Sequence, residues 1–328
     1  MKWGICGTGT IARKYALTLK GMAGEGQRIR AAASRSQEKA ELFAAEFDIP
    51  RAYGSYEAMA ADPEVEAVYI ATPNSLHMEN CRLYLCAGKA VLCEKPFMLS
   101  EAQGREIAKQ ARSCGALIME AFWIRFLPVT SRILEVIASG KLGRPLEVQC
   151  AYGFVAAQQR RQRKLRRDLG GGALLDIGIY NLGLIQMIFG EEPETISSEV
   201  RMSELGTDEW SRITLGYQGG RRAECVTAIG EEMERRAVIR CEKGQIVLPD
   251  YQMAREAIIS PVSGQEEYLK VPFEINGFEY QIRAFGEAAA RGDGECALWN
   301  LHQSLTLART MDRIRQSWGM LYEGEGAP

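Results

Sequence analysis

The chain opens on a short apolar run that leads into a glycine-rich turn. The two stretches read Lys2-Trp3-Gly4-Ile5-Cys6 and Gly7-Thr8-Gly9-Thr10-Ile11-Ala12. The length and apolar content of the first stretch predict a short buried strand. Residues 11–21 that follow have apolar side chains at helical spacing and predict a helix. The order strand, glycine turn, helix is therefore set within the first 21 residues.

The pattern Gly7-x-Gly9-x-x-Ala12 predicts a site for the pyrophosphate of a dinucleotide. Gly7 permits a tight turn, and Gly9 leaves no Cβ between the backbone and a phosphate. The small side chain of Ala12 allows the helix to pack closely on the sheet. The helix N-terminus offers backbone N–H groups and the positive end of its dipole. The cofactor-binding candidates here are Gly7, Thr8, Gly9, Thr10, Ile11 and Ala12; the alternative is a purely structural turn.

The end of the second predicted strand distinguishes NAD from NADP. Residues 28–34 form that strand, and the chain continues Ala33-Ser34-Arg35-Ser36 without an acidic residue. An NAD site usually has Asp or Glu here, to bind the ribose hydroxyls. A serine hydroxyl and a guanidinium suit a 2′-phosphate instead. Ser34 and Arg35 therefore predict NADP, with NAD possible, and the alternative for Arg35 is a solvated loop residue.

Strand and helix patterns alternate as far as residue 121, which predicts a parallel sheet covered on both faces. Beyond it, long strand-like stretches are joined by turns such as residues 218–220 and 242–244, which predict antiparallel connections. We therefore expect an α/β protein with two domains. Residues 1–122 form a nucleotide-binding domain, and residues 123–328 form an α+β domain built on a largely antiparallel open sheet.

Composition narrows the classes of function. The chain has 328 residues and a net charge of −2, so no basic field indicates a nucleic-acid partner. Its nine cysteines are odd in number and irregularly spaced, which is typical of reduced thiols in a cytoplasmic enzyme. With two histidines we expect no metal site. No apolar run reaches the length of a membrane span, so we expect no membrane association.

The segment Glu94-Lys95-Pro96 follows a predicted strand at residues 90–93. Open α/β sheets bind their ligands at the carboxyl ends of parallel strands. A lysine at that edge has the chemistry to donate or accept a proton during catalysis. By itself the segment is equally typical of a salt bridge at a strand end.

Four segments together carry a resemblance to a known family. They are residues 7–12, Ala71-Thr72-Pro73-Asn74-Ser75-Leu76-His77, residues 94–96, and Gly171-Gly172-Ala173-Leu174-Leu175-Asp176-Ile177-Gly178-Ile179-Tyr180. In this order they resemble the Gfo/Idh/MocA oxidoreductases, and within them the branch of dihydrodiol and NADP-linked D-xylose dehydrogenases. The resemblance implies an N-terminal Rossmann fold and a C-terminal open sheet that carries the substrate site. It also implies that Lys95 lies beside the nicotinamide, before a cis proline.

The resemblance assigns catalytic roles to Lys95, Asp176 and Tyr180. The common family pattern is D-x-G-x-H, and Tyr180 stands here in place of the histidine. Whether Tyr180 or Lys95 exchanges the proton stays open. Further cofactor-binding candidates are Thr72, Pro73, Asn74, His77, Glu94, Lys95, Trp123 and Arg125. For His77 the alternative is a structural role, and for Trp123 and Arg125 it is packing between domains.

The function implied is an NADP-dependent oxidoreductase that acts on a secondary alcohol or carbonyl of a sugar, polyol or trans-dihydrodiol. The alternatives are a reductase of a keto-sugar or dicarbonyl and a non-catalytic NADP-binding sensor. We expect a small, carbohydrate-like substrate and a homodimer or higher homo-oligomer formed through the C-terminal sheet. The basic run at residues 160–167 is interpreted as a lid, a funnel for an anionic substrate, or a solvated loop.

Overall fold

The computed structural model describes residues 1–322, which form two compact units. One unit contains Met1–Trp123 and Glu274–Leu305, and the other contains Ile124–Phe273 and residues 306–322. The sequence-based division at residue 122 assigned the whole of 274–305 to the second domain. In the structure this segment packs with the first unit, where Phe285 lies 5.2 Å from Trp3 between ring centroids.

The regular elements are numbered in chain order. The strands are β1 Lys2–Cys6, β2 Arg28–Ala33, β3 Arg51–Tyr53, β4 Ala67–Ile70, β5 Ala90–Glu94, β6 Ile118–Ala121, β7 Pro145–Phe154, β8 Thr195–Met202, β9 Asp208–Gly216, β10 Arg222–Ile229, β11 Ala237–Cys241, β12 Gly244–Leu248, β13 Glu256–Pro261 and β14 Glu267–Lys270. The helices are α1 Thr10–Gly21, α2 Gln37–Phe47, α3 Tyr56–Ala60, α4 His77–Cys86, α5 Glu101–Cys114, α6 Pro128–Ala138, α7 Gln158–Leu165, α8 Ile179–Phe189, α9 Glu279–Arg291 and α10 Leu301–Ser317.

The first unit is built on a six-stranded parallel sheet in the order β3-β2-β1-β4-β5-β6. All four residues of β4 are buried, as expected for a central strand covered by helices on both faces. The order reverses between β1 and β4, which is the point where open α/β sheets bind ligands. This arrangement confirms the predicted Rossmann fold.

The second unit contains an eight-stranded sheet in the order β14-β13-β12-β11-β7-β10-β9-β8. Every neighbouring pair is antiparallel except β7 and β10, which run parallel. Helix α8 packs on β7 and β10, where Asn181 donates to Thr227 Oγ1 at 3.0 Å and accepts from the Tyr251 hydroxyl at 2.6 Å. The largely antiparallel sheet that the sequence predicted is confirmed.

The face of this sheet opposite α8 carries a row of apolar side chains. Val238, Val247, Ile258 and Tyr268 are directly opposed on four adjacent strands. Tyr268 is 72% exposed. Charged residues lie elsewhere on this face, including Glu147, which pairs with Arg222 at 2.7 Å and with Arg240. The face is therefore neither uniformly apolar nor uniformly charged.

One helical stretch, Arg167–Phe189, is long and apolar enough to cross a membrane by length and composition alone. The stretch leaves helical geometry at Gly171 and Gly172 and contains Asp176, so it is not one uninterrupted apolar run. In the structure, 83% of its apolar window is buried inside the protein. A helix that is apolar on all sides is typical of a protein core as well as of a membrane, and here α8 lies in the core of the second unit.

Candidate functional site

The turns that follow β1, β2 and β4 meet at one edge of the parallel sheet. The Gly7 N–H donates to the Ala33 carbonyl at 2.9 Å, and the Ala71 N–H donates to the Cys6 carbonyl at 2.8 Å. Strands β5 and β6 run parallel beside β4, so their carboxyl ends lie at the same edge. The edge therefore brings together the predicted cofactor residues of the first unit that follow these five strands.

The glycine turn has the conformation and the space that a dinucleotide requires. Gly7 has φ +99°, and a Cβ there would lie 2.8 Å from the Ala71 carbonyl oxygen. No atom lies within 4 Å of the position that a Cβ of Gly9 would occupy. Gly9 caps α1 without a side-chain hydrogen bond, and the first turn of the helix carries no acidic residue. These features fit a bound pyrophosphate.

The other residues of the turn differ in their exposure. Thr8 is partly exposed and Thr10 is exposed, whereas Ala12 is fully buried against the sheet. Ile11 is 36% exposed in the first turn of α1, although it is a large apolar residue. An exposed apolar side chain beside free helix N–H groups is suited to cover one side of a bound dinucleotide.

Arg35 lines a cleft of about 520 Å³ at the end of β2. The other lining residues are Gly54, Ser55, Tyr56, Glu57, Leu76, Glu79, Asn80, Arg82, Leu83 and Cys86. Arg35 is exposed and has no ion-pair partner within residues 1–322, whereas Ser34 is mostly buried. Burial raises the pKa of Tyr56 to about 12, and the nearby Arg35 opposes this rise. Sequence reasoning missed Tyr56 and Arg82, because no motif marks them.

The loop after β4 is organised around a buried histidine. The ring nitrogens of His77 lie 2.9 Å from the Pro96 carbonyl and 3.2 Å from the Thr72 carbonyl. Burial lowers the pKa of His77, and the Pro96 and Thr72 carbonyl groups oppose this effect. Pro73 and Asn74 in the same loop are partly exposed. A fully buried ring held between two carbonyl groups favours the structural interpretation of His77.

Lys95 follows β5 between two buried carboxyl groups. Glu94 accepts a hydrogen bond from the Tyr69 hydroxyl, and its pKa is raised by burial but lowered by Tyr69 and Lys95. Glu120 accepts from the Phe97 N–H at 2.8 Å and from Trp299 Nε1 at 3.0 Å. The peptide bond between Lys95 and Pro96 is cis. The two carboxyl groups thus fix the backbone on both sides of Lys95.

Trp123 is 3% exposed and lies beside a lysine that sequence reasoning missed. The Lys14 ammonium lies 4.4 Å from the centroid of Trp123 and 4.2 Å from that of Phe278. Burial lowers the pKa of Lys14, and Glu94 and Glu279 oppose this effect. In the sequence, Lys14 is marked only by its position in the helix that follows the glycine motif. That position alone does not identify a functional lysine.

The second unit carries Arg125, Asp176 and Tyr180. Asp176 lies in the π-helical turn Leu174–Gly178, which leads directly into α8, where Tyr180 is the second residue. Single π turns inside helices are frequent at functional sites. The Tyr180 ring is mostly buried, with its centroid 6.2 Å from that of Tyr152. Arg125 is partly exposed in a short 3₁₀ turn.

A buried carboxyl group supports the start of this helix. Asp208 is fully buried, and its Oδ2 accepts a hydrogen bond from the Leu174 N–H at 2.6 Å. Its Oδ1 has no hydrogen-bond partner within residues 1–322. Burial raises the pKa of Asp208 to about 7. Sequence reasoning missed it, because an isolated aspartate at the start of a strand carries no pattern.

Asp208→Asn tests this environment. The folded protein holds a proton on Asp208 between pH 4 and 7 that the unfolded chain releases. This stabilising contribution is therefore complete below about pH 4 and is lost as the pH rises through 7. Asparagine keeps the acceptor for Leu174 but does not ionise. We expect the melting temperature of Asp208→Asn, relative to wild type, to rise from pH 5 to pH 8.

The matched control is Asp168→Asn, at an exposed carboxyl group whose pKa is lowered by Arg166. Its titration lies below pH 5, so its melting temperature relative to wild type should stay constant over the same range. Parallel pH profiles for wild type and Asp208→Asn would contradict the assigned protonation of Asp208.

Comparison with protein families gives two matches along the chain. Residues 1–122 match the Gfo/Idh/MocA oxidoreductase family, described as an NAD-binding Rossmann fold. Residues 130–247 match the Gfo/Idh/MocA C-terminal domain. The two matched segments fall one in each of the two compact units.

Similar proteins extend over nearly the full chain. Trans-1,2-dihydrobenzene-1,2-diol dehydrogenase of Xenopus laevis is 33% identical over 330 residues, covering 98% of this chain and 99% of that protein. The Homo sapiens protein of the same name is 32% identical, covering 98% of each. The structure of an aldose–aldose oxidoreductase from Caulobacter crescentus, complexed with glycerol, is 25% identical with a TM-score of 0.87, covering 98% of each chain.

A 3-ketoreductase from Actinomadura kijaniata, solved with NADP and TDP-benzene, has a similar fold. It is 24% identical with a TM-score of 0.86, and the match covers 96% of this chain and 97% of the other. At this identity the likeness concerns the fold alone.

Proposed function

The chain belongs to the Gfo/Idh/MocA oxidoreductase family, and on this premise we propose that it transfers a hydride between NADP(H) and a secondary alcohol or carbonyl. The proposed substrate is a sugar, a polyol or a trans-dihydrodiol. The dihydrodiol dehydrogenases that are similar over their full length support this substrate class. The glycerol-bound aldose–aldose oxidoreductase supports the carbohydrate-like alternative within it.

One observation carries the proposal: the turns after five parallel strands share one edge of the sheet with an uncapped helix N-terminus. Gly7 and Gly9 leave space there for a pyrophosphate. Lys95 follows β5 at the same edge, so a proton-transferring group and the dinucleotide turn belong to one surface of the first unit. A bound nicotinamide cofactor supplies the hydride donor or acceptor.

We propose NADP rather than NAD as the preferred cofactor. The cleft at the end of β2 has no aspartate or glutamate at the strand end, and Arg35 lies there without an ion-pair partner within residues 1–322. A guanidinium binds a phosphate through charge-assisted hydrogen bonds. Glu57, Glu79 and Arg82 also line the cleft, and Arg82 pairs with Glu106, so the positive charge offered to a phosphate comes from Arg35.

Arg35→Ala should therefore weaken NADP binding by about 1–3 kcal/mol and leave NAD binding nearly unchanged. Isothermal titration calorimetry with both cofactors measures the two affinities. Lys39→Ala, an exposed cation on the neighbouring α2, is the control and should change neither. An unchanged NADP-to-NAD ratio in Arg35→Ala would refute the assignment.

The chemical step needs a group that takes the hydroxyl proton when the alcohol is oxidised. We assign this exchange to Tyr180, and we assign to Lys95 the hydrogen bond to the reacting oxygen. Asp176 orients the substrate or the base. In the opposite assignment Lys95 exchanges the proton and Tyr180 forms the hydrogen bond to the reacting oxygen. The kinetics of variants distinguish these two assignments.

Tyr180→Phe and Lys95→Met should each lower kcat by about a hundredfold to ten-thousandfold, because each removes a group engaged in proton transfer. Cofactor binding should persist in both variants, as measured by quenching of protein fluorescence. The double variant should be much less impaired than the product of the two effects, because groups that act as a unit are not additive. Near-normal kcat in folded Tyr180→Phe would leave Lys95 as the sole acid or base.

A non-catalytic NADP-binding sensor is the alternative from another class of function. The chain retains Lys95, Asp176 and Tyr180 together, and a sensor has no need of these groups. A screen of sugars, polyols and diols with NADP, and of keto-sugars and dicarbonyls with NADPH, followed by absorbance at about 340 nm, tests the proposal. Turnover of any of them supports an enzyme, and binding without turnover supports the sensor.

We further propose a cytoplasmic homodimer. All nine cysteines are free thiols, and seven of them are buried, as is usual in a reducing compartment. In the apolar row Val238 and Val247 are buried, whereas Ile258 is partly exposed and Tyr268 is 72% exposed, so the row ends in an apolar surface that a second copy of the chain could cover.

Tyr268→Glu places a charge at the most exposed member of this row and should shift the dimer toward monomer. Light scattering at micromolar protein measures the mass. Leu42→Glu, at an apolar residue that is 63% exposed on α2, is the matched control and should leave the dimer intact. A monomeric wild type would disprove the proposed dimer.

A further inference from the structure

The basic run at residues 160–167 is largely helical and most of its cations are already bound. Residues 158–165 form α7, so the segment is not the loop that one interpretation expected. Arg161 pairs with Glu209, Arg166 with Asp168, and Arg167 donates to the Leu321 carbonyl. Within residues 1–322, only Arg160 and Arg163 of the run have no such partner. A segment with so few available cations is poorly suited to attract an anionic substrate.

Lys164 differs from the other cations of the run in its partner. Its ammonium pairs with the carboxylate of Asp176, one of the three catalytic candidates. The two side chains are 24% and 20% exposed, so water screens the pair only in part. The same ammonium lies 5.3 Å from the centroid of the Phe154 ring.

The backbone joins the same two segments. The Lys164 carbonyl accepts from the Gly172 N–H, and the Arg166 carbonyl accepts from the Gly171 N–H, both at 2.9 Å. A Cβ at Gly171 would overlap the Lys164 and Arg166 carbonyl groups, so only glycine permits this approach. The end of α7 is therefore fixed against the turn that leads to Asp176.

An ion pair on this framework restricts the carboxylate of Asp176. A carboxylate on a π turn has rotamer freedom, and an unpaired charge in a half-buried position is costly. The Lys164 ammonium compensates that charge and selects the orientation in which the two groups meet. Because α7 is itself fixed by backbone hydrogen bonds, the ammonium is held in place.

We propose that Lys164 is a positioning residue, which holds the Asp176 carboxylate in its working orientation and acts on the reaction only through it. This inference rests on the proposed function and assigns a role to the basic segment: it braces the catalytic carboxylate from within the second unit. The exposed Arg160 and Arg163 have no part in this role.

The test compares Lys164→Met, Lys164→Arg and the control Arg163→Met in the full-length protein. The measurements are kcat and KM for the alcohol or carbonyl that wild type converts, and the affinity for NADP. Lys164→Met should lose about tenfold to hundredfold in kcat, the effect of misplacing a catalytic group by about 1 Å. Lys164→Arg should recover most of kcat, Arg163→Met should match wild type, and NADP affinity should stay constant.

A second comparison separates positioning from general stability. In the Asp176→Asn background, Lys164→Met should cause no further loss of kcat, because its partner is already gone. Lys164→Gln replaces Lys164→Met if the methionine variant does not fold. A wild-type kcat in Lys164→Met or Lys164→Gln would overturn this inference but not the proposed function. The same would follow if Lys164→Met lowered kcat as much in the Asp176→Asn background as it does in the wild type. A wild type that converts no tested substrate would overturn both the inference and the proposed function.

Discussion

The close approach of Gly7 to the Ala71 carbonyl is the constraint from which the candidate cofactor site follows. A side chain at position 7 would lie against the backbone of the loop after β4. The positive φ of Gly7 is also unfavourable for residues other than glycine. This turn sends the chain from β1 straight into α1 and leaves the helix N–H groups open beside Gly9. The loop after β4 is held in turn by His77, whose ring nitrogens face the Thr72 and Pro96 carbonyl groups. One chain of contacts thus connects the glycine turn with the segment that carries Lys95.

The second unit uses a different device to place its candidate residues. Asp208 holds the N–H of Leu174, while the end of α7 holds Gly171 and Gly172. Between these supports lies a π turn, which carries Asp176 and sets the direction of α8 and Tyr180. One support, Asp208 in β9, is far from Asp176 in sequence. The other, the end of α7, is closer in sequence but belongs to no recognisable motif. A short catalytic motif is therefore fixed by residues that the motif does not include.

Much of the fold was predictable because local patterns and tertiary structure agree in it. The boundaries of β1 match the predicted ones, since a buried strand that ends in a glycine turn is a local feature. The short β3, the edge strand β14 and its neighbour β13 were not predicted, because few or half-exposed residues give no clear alternation. The packing of Glu274–Leu305 with the first unit depends on contacts such as Phe285 with Trp3, which no local pattern reveals. Likewise the motifs indicated Lys95, Asp176 and Tyr180, which remain predictions, whereas Lys14, Asp208 and the partner of Lys164 became visible only in three dimensions.

In the proposed reaction a hydride passes directly between a carbinol carbon of the substrate and NADP. The most direct measurement uses a substrate from the screen that is deuterated at that carbon, with mass spectrometry and NMR of the cofactor after turnover. Direct transfer should place one deuterium at C4 of the nicotinamide, on one face of the ring, and NADP should be a better acceptor than NAD. Oxidised product without deuterium in the cofactor, or no conversion of any sugar, polyol or dihydrodiol, would contradict it.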